Sequence, residues 1–181
     1  RFAAAQPEND YIAPLWAARK IGFLLDEIQI HGKSDELVDE IVALSTKYGI
    51  LTEYTAFLAE EGARLAEHEV ARRAGESVVR AKAAPAGAPA TAQRANNQMM
   101  RKQSSLAAQN VQVDTAGGRF RYAQVQTRNN QGFFQRGPRW EDARYKEGVQ
   151  NIVQVKAYSE AYFQIGRRAP ELNQYLTMGE N

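Results

Sequence analysis

The tripeptide Gly32-Lys33-Ser34 has the composition of the end of a phosphate-binding loop, where backbone N–H groups and a lysine gather phosphate oxygens. That motif requires a second glycine five residues before Gly32, and Glu27 stands there. The tripeptide also falls between two helical patterns rather than after a strand, so a nucleotide site is not expected. Histidine moves protons most readily near neutral pH, and the chain has two, His31 and His68. Neither has a second histidine or a cysteine at ligand spacing, so a helix-end or surface role fits both better than metal or acid–base work. Asp26-Glu27 and Asp39-Glu40 are paired in sequence, but adjacent side chains on a helix diverge by about 100°. They read as solvated faces rather than catalytic dyads. With no nucleophile–base or acid–base set visible, the expectation is no catalytic, cofactor-binding or metal-binding residue, and no enzyme.

The stretch Arg119–Lys146 carries a different chemistry. Arg119, Arg121, Arg128, Arg136 and Arg139 are interleaved with Phe120, Tyr122, Phe133, Phe134 and Trp140. Such a surface can stack bases and neutralise phosphates, which makes a nucleic-acid-binding module the alternative reading. Period-2 alternation explains the aromatics equally well as a small β-core, with the arginines facing water, and that reading is preferred.

Charge is unevenly distributed. Residues 1–80 hold nine Lys/Arg against fourteen Asp/Glu, and residues 81–181 hold fourteen against seven. An acidic first part and a basic second part can attract each other or an acidic partner. The absence of cysteine excludes a disulfide framework and cysteine-based zinc sites. No run of about 18 apolar residues is present to span a bilayer. Arg1-Phe2-Ala3-Ala4-Ala5 lacks both an initiator Met and an apolar leader region, and reads as the start of an internal or processed piece of a longer protein.

The elements that would position any site begin with Asn9 and Asp10, which can cap a helix over Asp10–Ile30. Ile21, Leu24, Leu25 and Ile28 follow the i, i+3, i+4, i+7 spacing, and His31-Gly32 ends the pattern. Ser34 caps a second helix to Tyr48, stopped by Gly49. The short connection predicts antiparallel neighbours packed through Trp16, Leu24, Ile28, Ile41 and Val42. Ile50–Leu58 reads as a strand, with Tyr54 on one face, whose partners lie largely outside this sequence. Residues 59–82 read as a helical extension with a thin apolar stripe. Residues 83–118, rich in Ala, Gln, Asn, Pro and Gly, read as a flexible linker. A short helix around Met99–Gln109 would use Met99, Met100 and Leu106 as anchors on a partner. Residues 119–181 form a small basic α+β module: a hairpin turning at Arg136-Gly137-Pro138, a strand candidate at Asn151–Lys156, and helices at Glu160–Arg168 and after Pro170.

"ENDYIAPLWAARKIGFLLDEI", "HGKSDELVDEIVALSTKYGILTEYTAFL" and "YSEAYFQIGRRAPELNQYLTMGE" together resemble bacterial proteins with a VIT domain and a von Willebrand factor A domain, relatives of the inter-alpha-trypsin inhibitor heavy chains. The resemblance is to the part that follows the A domain. It implies an α+β fold in which an antiparallel helix pair joins strands of a VIT-like β-sandwich. Phe2–Ala5 would then end a return strand, residues 1–58 would form the post-A-domain unit, and a C-terminal strand pair would be missing. The implied function is a non-catalytic interaction or scaffold segment of a secreted or cell-envelope protein. Implied partners are proteins, among them the VIT and A domains of the same chain. Independently of the resemblance, the unpaired strand edge and the apolar anchors of Met99–Leu106 lead to the expectation of a larger assembly contacted through them. An A domain's adhesion site holds a divalent cation, Mg or Ca, on an Asp-x-Ser-x-Ser loop. No such run occurs in this sequence.

Overall fold

Ile21, Leu25 and Ile28 bury the inner face of α1, Ile12–His31, in the computed structural model of the chain, which describes residues 9–52, 55–57, 70, 72–76, 86–145 and 152–178. Tyr11 rather than Asn9 or Asp10 occupies the cap position of α1, without a side-chain capping bond. Gly32 ends the helix at φ 101°, and its N–H donates to the Ile28 carbonyl at 3.0 Å. Helix α2, Asp35–Tyr48, has Asp35 and Glu36 at its positive end and a left-handed Gly49 beyond its last turn. Val38, Ile41 and Tyr48 meet α1 in the first core, with Ala74 of the helical stretch 72–76 packed beside them.

Leu24, Ile28 and Ile41 are core residues, as their spacing predicts. Trp16 is not. It is 54% exposed, because it lies about 80° around the helix from Leu24 and about 120° from Ile28. Small Ala17 and Ala18 occupy the buried positions at that level of the helix.

The predicted strand over Ile50–Leu58 is also absent at its described positions. Ile50, Leu51 and Thr52 are buried but belong to no sheet, Thr55 and Ala56 form a turn, and Phe57 is helical. A side-chain hydroxyl and a local carbonyl compete with strand pairing here. The Thr52 N–H donates to Thr55 Oγ1 at 3.0 Å, and the Thr55 N–H returns to the Thr52 carbonyl at 3.1 Å. Tyr54, His68, Phe2–Ala5 and most of residues 59–82 lie outside the described residues.

The stretch expected to be a flexible linker is structured from residue 86 onward. Helix α3, Ala88–Arg101, starts at Gly87, with Pro89 in the first turn. Its alanines and glutamines, read as low complexity, are strong helix formers. Gly22 explains why α3 packs so closely on α1: a Cβ there would stand 2.8 Å from Arg101 Cγ and 2.9 Å from the Arg101 backbone nitrogen. A single 3₁₀ turn, Leu106–Ala108, then leads into β1, Val111–Val113, paired antiparallel with β2, Arg119–Arg121.

A second antiparallel sheet has the order β3–β4–β5, with β3 Val125–Arg128, β4 Gln131–Arg136 and β5 Arg139–Asp142. Asn129 and Asn130, at φ 47° and 61°, make the two-residue turn between β3 and β4. Gly137-Pro138 makes the turn between β4 and β5, as the sequence predicts. Gly132, Phe133 and Phe134 are buried in succession, so β4 is covered on both faces rather than on alternate residues. Phe134 joins Leu51, Val70 and Val125 in a second core, and Phe133 meets the Tyr175 ring at 5.3 Å.

Residues 152–156 form no strand, contrary to the expectation for Asn151–Lys156. Ser159 caps α4, Glu160–Arg168, by accepting from the Tyr162 N–H. A 3₁₀ turn, Pro170–Leu172, precedes α5, Asn173–Leu176, and the Tyr162 hydroxyl donates to the Leu176 carbonyl at 3.1 Å. The described fold is therefore α+β, with helices around two small antiparallel sheets.

Candidate functional site

An antiparallel pair of helices normally carries one apolar stripe per helix, turned inward. Helix α1 carries two. Opposite its core face, Ile12, Trp16, Phe23 and Ile30 are 52%, 54%, 48% and 71% exposed. At about 100° per residue these four fall within roughly 40° of one another. Over the eighteen residue steps from Ile12 to Ile30 the stripe runs about 27 Å. Tyr11 adds exposed apolar surface at its N-terminal end. A helix apolar on both faces is usually covered on both, and four exposed apolar residues aligned on one face are less ordinary than scattered single ones.

Polar groups frame the row. The Arg19 Nε donates to the Gln103 carbonyl at 2.8 Å, and Lys20 pairs with Glu40 at 3.4 Å. The Lys20 ammonium also stands 5.9 Å from the Phe23 ring centre. Asp26 is paired with Arg101 and accepts from Asn97, and Glu27 pairs with His31 at 3.6 Å. An open groove of about 410 Å³ lies beside this last cluster, lined by Asp26, Arg94, Ala95, Gln98 and Arg101.

What holds α1 and α2 against the sheets is a set of amides. Asn110 Oδ1 accepts the Leu51 N–H at 2.8 Å while its Nδ2 donates to the Gly49 carbonyl at 2.8 Å. Gln112 Nε2 donates to the Leu51 carbonyl at 2.9 Å, and Gln109 Nε2 to the Tyr48 carbonyl at 3.1 Å. Thr127 Oγ1 reaches the same Tyr48 carbonyl at 2.6 Å. The backbone expected to seek a neighbouring strand is thus satisfied by side chains from 109–127. Sequence reasoning missed these residues because isolated Asn and Gln carry no periodic signal. Among the described residues, the acidic first part and basic second part meet as an ion pair through Asp26 and Arg101, while neutral amides do most of the joining.

The other predicted site residues disperse. Leu24, Ile28 and Ile41 are core. Met99 is partly buried, Met100 packs against the first core, and Leu106 is partly buried in its 3₁₀ turn, so the Met99–Leu106 segment is occupied by its own chain. Trp140 is partly buried on β5. In the basic aromatic stretch Phe133 and Phe134 are internal, and Phe120 is the large aromatic left exposed. Several of its arginines have local partners. Arg121 donates to the Ala107 carbonyl, Arg128 to Gln126, and the Arg136 guanidinium lies 5.4 Å from the Phe134 ring centre. Asp142, by hydrogen bonding to Arg144, raises that guanidinium's pKa above its ordinary value.

Among the described residues no group of three His, Asp or Glu side chains is placed to hold a metal ion. Among the same residues no helix is long and apolar enough to cross a membrane. No protein-family model, curated protein or solved structure matches this chain.

Proposed function

We propose that this chain is a non-catalytic assembly module, a scaffold segment that works by docking other protein surface. The observation that carries the reading is the exposed row Ile12–Trp16–Phe23–Ile30, standing on a helix whose opposite face is locked into a core. Binding through it would gain apolar burial at little ordering cost, because α1 is already held by α2 and α3. The resemblance of residues 8–58 to the region after the A domain in VIT/von Willebrand A-domain proteins supports the same reading. On that basis we assign the segment to a secreted or cell-envelope protein of that kind, with an Asp-x-Ser-x-Ser loop in the preceding sequence of the complete protein.

The double variant Trp16→Ser/Phe23→Ser tests the docking role. It should keep the helical circular dichroism of the parent and lose higher-order assembly in size-exclusion chromatography with light scattering. Assembly unchanged by the double substitution would refute it.

A further inference from the structure

The order of residues along the exposed face of α1 is symmetric about Phe23. Trp16 and Ile30 lie seven residues before and after it. Arg19 and Lys20 lie four and three residues before it, and Asp26 and Glu27 lie three and four after it. Reversing the direction of the helix exchanges Trp16 with Ile30 and sets the basic pair against the acidic pair. Helical geometry places Arg19 and Asp26 on one flank of the row and Lys20 and Glu27 on the other.

From this order we infer that the occupant of the row is a second copy of this chain, docked with its α1 antiparallel about a two-fold axis at Phe23. The inference rests on the assembly reading above and names its partner. In this arrangement the two Phe23 rings meet at the axis, and Trp16 of each copy lies against Ile30 of the other. The apolar residues Trp16, Phe23 and Ile30 repeat every seven positions, the spacing that suits two helices crossing at about 20°. An isologous contact of this kind closes on itself as a dimer.

Charge supports a second copy over an unrelated partner. Across the two-fold, Arg19 stands beside Asp26 and Lys20 beside Glu27, on flanks where each already has an intrachain partner. Glu40, Lys20 and the other copy's Glu27 form one row of alternating charge, and Arg101, Asp26 and the other copy's Arg19 form another. A parallel arrangement in the same register would set like charges together, so the sequence order selects the antiparallel one. The area is adequate as well. Trp16, Phe23 and Ile30, the three that meet across the axis, leave on the order of 400 Å² uncovered, and the flanking charged stems extend each face toward the roughly 800 Å² per partner of a stable interface.

Sedimentation equilibrium on the chain and on two single charge variants tests the inference. The unsubstituted chain should be dimeric. Lys20→Glu and Glu27→Lys should each weaken the dimer roughly tenfold or more, because each sets like charges against each other at two symmetry-related places. An equimolar mixture of the two variants should recover a one-to-one heterodimer, since opposite charges then face each other at both symmetry-related places. The absence of native cysteine allows an independent check by mild oxidation. Phe23→Cys should cross-link to itself, as should a mixture of Trp16→Cys and Ile30→Cys chains. Trp16→Cys alone should not, because its two copies would sit about 21 Å apart along the helices. A monomeric parent, a mixture that fails to pair, or self-linking of Trp16→Cys overturns the antiparallel dimer. A dimer that fails the pairing or cross-linking arms yet is lost in Trp16→Ser/Phe23→Ser would leave the docking role standing with a different geometry between the two copies. Failure of both tests removes the docking role itself.

Discussion

At the scale of single residues, the two faces of α1 separate side chains of similar chemistry into different roles. Ile28 is sealed in the first core, and its truncation to Ala should cost about 2–5 kcal/mol in denaturant unfolding. Trp16→Ala, on the outer face, should cost no more than about 1 kcal/mol in the same measurement made at concentrations low enough to keep the chain monomeric. Equal losses would mean that the outer row is buried in the isolated chain. Asn110 acts by hydrogen bonding rather than by packing. It sits at φ 60°, so Asn110→Gly keeps the backbone accessible while removing the amide that serves Leu51 and Gly49. The loss should be about 1–3 kcal/mol, the cost of leaving the buried Leu51 N–H without its acceptor, since the Gly49 carbonyl keeps Gln109 Nε2 at 3.3 Å. The sequence makes Ile21, Leu24, Leu25 and Ile28 legible because they repeat at helical spacing. It also suggests Trp16 as core, since size and apolarity point inward whenever a second apolar face goes uncounted. Asn110 leaves no signal of its own, because a lone amide in a polar stretch reads the same whether solvated or buried.

At the scale of elements, local punctuation is what the sequence discloses. Gly32 and Gly49 end their helices, Ser159 caps α4 and Gly137-Pro138 turns the β4–β5 hairpin, each by a backbone preference that needs no distant partner. Helix α3 is not legible in that way, because its stability comes from contact with α1 through small residues. Two glycine substitutions probe that contact. Gly22→Ala raises helix propensity by about 1 kcal/mol yet places a methyl against backbone atoms of Arg101 and Asn97, and should be net destabilising. Gly75→Ala meets only the end of the Lys33 side chain, which can swing aside, so it should be neutral or stabilising by up to about 1 kcal/mol. Gly22→Ala should melt below the parent and Gly75→Ala at or above it. A stabilised Gly22→Ala would show that α3 does not press on α1 at this point. The strand expected at 50–58 fails for a related reason. Its β-branched and aromatic residues match a sheet, but Thr52 and Thr55 close a local turn and amides take the backbone of 49–51.

At the scale of the whole molecule, the two cores share one spine. Residues 48–52 leave α2 and contribute Tyr48 and Ile50 to the first core and Leu51 to the second, while the amides of 109–112 clamp the backbone between them. Gly49 and Gly132 touch there as well. A Cβ on Gly132 would stand 2.7 Å from the Thr46 carbonyl oxygen and 2.8 Å from the Gly49 Cα, so sheet and helix pair meet backbone to backbone. Such a junction couples the two cores into one cooperative unit, because neither side can separate without exposing both apolar surface and unpaired peptide groups. Native-state hydrogen exchange reports this directly. In the parent chain the amides of Leu51, of α1 and of β4 should exchange only through global unfolding, with the same denaturant dependence. In Asn110→Gly the Leu51 amide loses its acceptor, and should exchange through a local opening insensitive to denaturant, while the interior of α1 stays protected. Gly132→Ala should go further and divide the unit, with β4 amides opening before those of α1. If β4 and α1 already exchange by separate openings in the parent, the sheets and the helix pair are independent units and the shared spine does not couple them.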